Sequence, residues 1–369
     1  MKQKKYYSLI LAAVLALSTV LTGCGSDGSS AKPADTSVSE SPAPTVSPEA
    51  SAVPAASASP QTAASFAPSS VSILHSDKFK VSDGKVTFTD ATGSEVTLTI
   101  KPERVVTLSN NWHDLWYDCG GTAVGRVDEE LSALRNEEAK AVKVIGNSSS
   151  VSLEAVLAEE PDLVILGSPS KDGQDMAAAL KDAGVEYLLY DYENFEGFLE
   201  TLELYTILTD RADLYEKWAA ENIAKVDHVR EICAEQTPAQ IIMLLPHATS
   251  GIYALKNSGF LGSLLEDLNT VNVAFQDAGG EDKNFVISME ELLKLDPQFI
   301  LSRGGSGDGT EATATAIYES NPLWFELTAV KEGRYHHLPS DLFLYKANVR
   351  YGEAYEYLAK ILYPDAFTE

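Results

Sequence analysis

Residues 152–166 read SLEAVLAEEPDLVIL, and residues 288–302, 136 positions later, read SMEELLKLDPQFILS. Aligned, the two share Ser, then Leu or Met, then Glu, two apolar helix positions, an acid, Pro and an apolar run. The pattern is that of a helix feeding a buried strand. Ser152 and Ser288 suit an N-cap, Glu154 and Glu290 fall in the first turn, and Pro161 and Pro297 end each helix before apolar residues 163–166 and 299–301. One α/β unit in each half of a chain implies two similar lobes facing each other.

The segments around the repeats extend this reading. Residues 79–100 alternate around turns at Asp83-Gly84 and Thr92-Gly93, as an opening hairpin does. Residues 104–108 form a first core strand, 114–119 a short helix stopped by Gly120-Gly121, and 142–146 a strand leading into the first repeat copy. A helix over 175–183 closes on Gly184 ahead of a strand at 186–190, and 195–208 is helical again. Residues 211–235 contain no Gly or Pro and place Leu214, Trp218, Ile223, Val226 and Ile232 at helical spacing, which predicts one uninterrupted helix between the halves. The second half then has a strand at 240–245, a helix at 260–268, the repeat copy, a Gly-rich loop at 304–309, a strand at 334–338 and a helix over 348–362.

The N-terminus indicates where the lobes work. Lys2, Lys4 and Lys5 precede an apolar run over 9–21, shorter than the roughly 20 residues a spanning helix needs. Leu21-Thr22-Gly23-Cys24 follows and resembles the bacterial lipobox, so Cys24 is read as the lipid-bearing residue. Residues 25–70 are Ser, Ala, Pro, Thr and scattered acids, a composition that cannot bury enough surface to order itself. About 45 residues of such coil reach roughly 35–40 Å, enough to lift a domain off a membrane while keeping it close. Removal of residues 1–23 takes the formal charge from −26 to about −29, a field that disfavours nucleic acid and anionic lipid. Cys119 and Cys233, the remaining cysteines, sit in helical patterns as small buried hydrophobes.

The arrangement from residue 79 onward resembles the substrate-binding lipoproteins of ABC importers for metal chelates, that is, ferric siderophores, haem and cobalamin. The matching stretches are KPERVVTLS at 101–109, IGN at 145–147, SLE at 152–154, EPDLV at 160–164, SGFLG at 258–262 and NPLW at 321–324. Their order and spacing carry the likeness more than any one of them does. It implies an α/β fold of two Rossmann-like lobes joined by a single long helix, the class III periplasmic-binding-protein fold. The expected organisation is a signal peptide over 1–23, the lipidated Cys24 and tether over 24–72, an N-terminal lobe over 73–209, the interlobe helix over 210–236 and a C-terminal lobe over 237–369. The resemblance also implies that Glu154 and Glu290 dock onto basic residues of a dimeric permease with its ATPase. The alternative for both is plain helix capping, since an acid in a first turn favours the helix dipole, and Ser288 with Glu291 makes a capping box in any case.

Ligand is expected in the cleft, where loops following the strands of both lobes converge. From the first lobe the candidates are Asn110, Asn111, Trp112, His113, Ser168 and Tyr192; from the second, His247, Tyr253, Arg303, Tyr345 and Arg350. Trp and Tyr offer flat faces to a macrocycle or catechol, Arg a fork for carboxylate or catecholate oxygen, and His or Tyr a ligand to iron. Each has a plainer role open to it: Trp112 and Tyr345 in a core, His113 and His247 as satisfied loop histidines, Arg350 paired with Glu353 or Glu356. His336 and His337 are adjacent in a strand pattern and point to opposite faces, and the 304–309 loop lacks the Lys-Ser/Thr of a phosphate-binding loop. The expectation is a monomeric receptor at the outer face of the cytoplasmic membrane that captures an iron chelate, siderophore or haem, with cobalamin as the alternative cargo, touching membrane only through its anchor, with no cofactor and no protein-bound metal assigned. A lipoprotein hydrolase or chelatase would need a nucleophile or metal trio that the sequence does not assemble, and an adhesin or sensor would have no importer genes beside it.

Overall fold

A computed structural model describes residues 76–129, 134–167, 169–247, 250–276, 283–304 and 311–368. The signal segment, Cys24, the tether, Ser168 and residues 305–310 of the Gly-rich loop lie outside the described residues.

The described chain opens on an antiparallel meander of β1 (Lys80–Ser82), β2 (Lys85–Thr89) and β3 (Glu95–Thr99). There follow β4 (Val105–Thr107), β5 (Gly125–Asp128), β6 (Val144–Asn147), β7 (Leu163–Ile165) and β8 (Glu186–Leu188). They form a wholly parallel sheet in the order β6-β5-β4-β7-β8. The second lobe has β9 (Ala239–His247), β10 (Gly251–Ala254), β11 (Thr270–Asn272), β12 (Phe285–Val286), β13 (Phe299–Arg303) and β14 (Tyr335–Leu338). Its sheet runs β12-β10-β9-β13-β14, with β11 also on β9; β10 and β12 are antiparallel, β11, β13 and β14 parallel.

Both repeat copies form the same device. Ser152 Oγ accepts from Ala155 N at 3.2 Å and starts the helix Leu153–Leu157. Ser288 Oγ accepts from Glu291 N at 3.1 Å, and Glu291 accepts in return from Ser288 N at 3.0 Å, closing a capping box on the helix Met289–Leu295. The acid before each Pro, Glu160 or Asp296, takes a left-handed conformation, with φ of 49° and 39°, and turns the chain into β7 or β13. Each of those strands pairs in parallel with the first strand of its lobe's main sheet, β4 or β9. The repeat thus occupies the same position in both lobes.

Alternation along these strands explains how the lobes hold together. Val105, Leu163 and Ile165 face one core and Val106, Val164 and Leu166 another, so the sheet is buried on both sides. In the second lobe Ile241, Met243, Phe299 and Leu301 join the first of these cores, while Ile242, Leu244 and Ile300 lie on the far side. The shared core continues through the helix Ala212–Ala234 and the helix Tyr351–Leu362. Gly352 lets those two helices approach, since a Cβ there would stand 2.7 Å from Lys225 Cβ. Asn222 on the interlobe helix accepts from Gly352 N at 2.7 Å and donates to Val349 O at 3.0 Å, fixing their register.

Several segments depart from the sequence reading, among them the helix expected over 175–183, which begins at Lys171. The first helix spans Asn110–Asp118 instead of 114–119, because Trp112, Leu115 and Trp116 bury together on it and that packing outweighs the poor helix propensity of two asparagines. β10, β11 and β12 are not expected from the sequence; they are short, and the pairing of β10 and β11 with β9 and of β12 with β10 is set by tertiary contacts, not by local pattern.

Candidate functional site

A cavity of about 690 Å³ opens at the C-terminal ends of all five parallel strands of the first lobe. β4 leads to Ser109, Asn111 and Trp112; β5 to Glu129; β6 to Ser148–Ser150; β7 to Gly167 and the start of the helix Lys171–Asp182; β8 to Asp191. Leu344, Tyr345 and Lys346 of the second lobe close it. Strand ends converge in this way because parallel strands all deliver their following loops to one edge.

Of the expected ligand residues, Asn111, Trp112 and Tyr345 line this cavity. Asn111 Oδ1 accepts from Lys346 N at 3.1 Å, and its carbonyl accepts from Asn348 Nδ2 at 2.9 Å, so it belongs to the interlobe seam as well. Trp112 is packed edge-on against Tyr192, ring centroids 5.7 Å apart, and offers only a margin of its ring.

The other candidates lie elsewhere. Asn110 is buried, and its backbone N–H donates to Glu129 Oε2 at 2.6 Å. His113 is fully enclosed: Nε2 donates to Ala139 O at 3.0 Å, which leaves Nδ1 to accept from Thr107 Oγ1 at 2.7 Å. Burial pushes its pKa down to about 4, and it is a neutral core histidine, facing away from the cleft. Tyr192 is buried and donates to Asn348 Oδ1 at 3.0 Å, bridging the lobes. Arg303 donates to Phe343 O at 3.5 Å, with burial holding its pKa below the ordinary guanidinium range. Arg350 is paired with Asp341 at 2.8 Å and Glu353 at 2.5 Å, the plainer of its two readings. His247 is exposed at the end of β9, and Tyr253 is half-buried on β10; neither lines the cavity.

Several lining groups escaped the sequence reading. Applied to β5 and β6 as well, the strand-end rule reaches Glu129 and Ser148–Ser150, which a search for rings and cations passes over. Lys346 gave no local signal: it crosses from the second lobe to pair with Asp191 and to donate to Tyr192 O. Its ammonium sits 4.3 Å from the Tyr192 ring centroid and 5.4 Å from that of Trp112. Burial lowers its pKa, and Asp191 works against that. Burial likewise raises the pKa of Glu129, opposed by the hydrogen bonds from Asn110 and Ser148. Beside the cavity, Arg135 is held by Asp114 at 2.7 Å and by Asp118, whose carboxyl burial pushes up to about 7.

Glu154 and Glu290 are both exposed, each in the first turn of its repeat helix. Hydrogen bonds from its own backbone N–H and from Ser152 keep the Glu154 carboxyl below its ordinary pKa. Among the described residues no group of three or more His, Cys, Asp or Glu could hold a metal ion, and no helix is long and apolar enough to cross a membrane. The two described cysteines, Cys119 and Cys233, are buried and unpaired.

A family model described as periplasmic binding protein matches residues 105–342. An uncharacterised ABC transporter substrate-binding lipoprotein of Bacillus subtilis is 27% identical over 77% of this chain and 87% of its own length. A cobalamin-binding protein of Halobacterium salinarum is 25% identical over 70% of this chain and 69% of its own. Among solved structures, a haem-complexed protein of S. aureus superposes with a TM-score of 0.59 at 18% identity, covering 70% of this chain and 98% of that one.

Proposed function

The chain belongs to the periplasmic binding protein family, and from that premise we propose that it is the capture component of an ABC importer. In this reading a lipid on Cys24 holds it at the outer face of the cytoplasmic membrane, and it passes a small-molecule metal chelate to a dimeric permease with its ATPase. The observation that carries the proposal is the cavity of about 690 Å³ at the ends of five strands, closed from the other lobe by Tyr345 and Lys346. Its size falls in the ordinary range for small-molecule sites. No histidine or cysteine is among its described lining residues, and in this reading the metal arrives already chelated, as cargo. Siderophore, haem and cobalamin are the cargo classes that the relatives and the fold bring into range.

Glu154 and Glu290 support the delivery step. Both are exposed anions at helix starts that occupy equivalent positions in the two lobes, which suits a basic partner with two-fold symmetry. The monomer presents each once. The joining helix Ala212–Ala234, locked to the last helix through Asn222 and Gly352, allows only small opening motions, so release falls to the permease.

Native mass spectrometry with an absorbance spectrum, on protein purified from its own host, tests the proposal. A retained species of small-molecule mass carrying a metal–chelate or macrocycle band is the expected result. Protein that arrives empty and then binds no metal chelate in titration would overturn it.

A further inference from the structure

The charges around the cavity carry a statement about its cargo that the family does not. Four charged residues line it: Glu129, Asp172, Asp191 and Lys346. Lys346, the sole cation among them, is spent on Asp191. Of the arginines beside the cavity, Arg135 is held by Asp114 and Asp118 and Arg350 by Asp341 and Glu353, while Arg303 donates to the Phe343 carbonyl at 3.5 Å and is not part of the lining. Lys171, beside Asp172, is exposed and paired with Asp175 at 2.5 Å, and is not part of the lining.

Helix N-termini could in principle replace missing cations, because each presents about half a positive charge. Two of them begin at the cavity, and both already face a carboxylate. The N-terminus of Asn110–Asp118 donates to Glu129 through Asn110 N at 2.6 Å. That of Lys171–Asp182 has the Ser170 hydroxyl on Gly173 N at 3.3 Å and Asp172 in its own first turn. Two carboxylates against two half-charges leave the cavity acidic, within a chain whose overall charge is already −26. The internal segments outside the described residues, 130–133, 168, 248–249, 277–282 and 305–310, contain five Asp or Glu and no Lys, Arg or His. They hold no cation that could reverse the sign. What the lining offers instead is hydroxyl and amide, from five serines and Asn111.

We propose that this cavity selects a metal chelate of zero or positive net charge, held through hydrogen bonds to amide, hydroxamate or hydroxyl groups, and rejects polyanionic chelates. The inference rests on the reading of the cavity as the cargo site. A second unscreened negative charge brought within several ångströms of Glu129 or Asp172 in a partly desolvated site costs on the order of a tenfold loss of affinity per charge pair.

The test titrates the full chain with four probes, following quenching of tryptophan fluorescence: a cationic ferric trishydroxamate (ferrioxamine B), neutral cyanocobalamin, trianionic ferric enterobactin and haemin with its two propionates. The neutral or the cationic probe should bind at least about tenfold more tightly than either anion. Asp172→Asn, a change at an exposed position, should narrow that gap several-fold, and Glu129→Gln should do the same if the variant folds. Ferric enterobactin or haemin binding as tightly as the other two overturns the charge inference and leaves the capture reading standing. A gap that Asp172→Asn and high salt both leave unchanged overturns it as well. Binding of none of the four sinks the cargo-site reading itself, and the inference with it.

Discussion

Lys346 of the second lobe and Asp191 of the first form an ion pair across the cavity, and the same ammonium lies over the rings of Tyr192 and Trp112. The pair is four-fifths buried on the lysine side, with side-chain exposures of 19% and 24%. Its removal therefore exposes the asymmetry of buried charge: one partner alone is worse than neither. Lys346→Ala should lower stability by roughly 1–3 kcal/mol in chemical denaturation, and Lys346→Ala with Asp191→Asn, which removes the orphaned charge but not the gap, should recover most of the loss. Equal losses in the single and double variants would mean that the lysine contributes packing and not charge.

His113 makes a pH prediction with a definite sign. Its folded pKa of about 4 lies below the unfolded value of 6.5, so between those values the unfolded chain binds more protons and stability rises with pH. The contribution is complete above about 6.5 and is lost as pH falls toward 4, to a limit of about 3 kcal/mol for a shift of this size. Asp118, pushed up to about 7, acts with the opposite sign over an overlapping range. The readout is therefore the difference between wild type and His113→Gln, measured by denaturant midpoints at pH 4.5 and 7.5. The variant should lose its disadvantage as the pH falls; a constant difference would refute the assignment.

What the sequence disclosed divides along a physical line. The repeat helices, their Ser caps, the prolines before β7 and β13, and the Gly-free helix Ala212–Ala234 are local signals, encoded within a few residues of the structure they produce. The cavity is a non-local object. Lys346 and Asp191 lie 155 residues apart, and Tyr192 reaches Asn348 across 156. Trp112 and His113 resemble cleft residues in sequence because they follow the first strand, yet the helix there begins at Asn110 and turns His113 into the core. Chemistry-bearing side chains attract attention in a sequence, whereas the lining contributed by Ser148–Ser150 is unremarkable residue by residue and is recognised only from strand order.

Arg303 supplies a control for the cavity map. It is directed to the carbonyl of Phe343, off the lining. Arg303→Ala should leave the affinity of any bound chelate within a few-fold, whatever its charge, while Trp112→Ala should weaken it by more. A selective loss of anion binding in Arg303→Ala, seen by isothermal titration, would return this arginine to the site.

The anchor can be tested without the ligand. Lipidation requires a thiol, so Cys24→Ser should yield protein that no longer partitions into detergent and carries no diacylglycerol mass. Unchanged partitioning would refute the assignment of Cys24.

Docking and helix capping make separable predictions for the repeat glutamates. As caps, Glu154 and Glu290 act within their own first turns, where Ser152 and Ser288 already satisfy backbone N–H groups. Reversal to Lys would then shift the thermal midpoint slightly and nothing else. As docking residues they set the orientation of a basic permease from both lobes at once, and a charge reversal turns attraction into like-charge repulsion at each contact. The double variant Glu154→Lys, Glu290→Lys should therefore abolish uptake in cells while chelate affinity in solution stays within a few-fold of wild type. Because both residues lie outside the cavity lining, a loss of binding together with uptake would point to misfolding. Uptake that survives the double reversal would leave the two glutamates as helix caps.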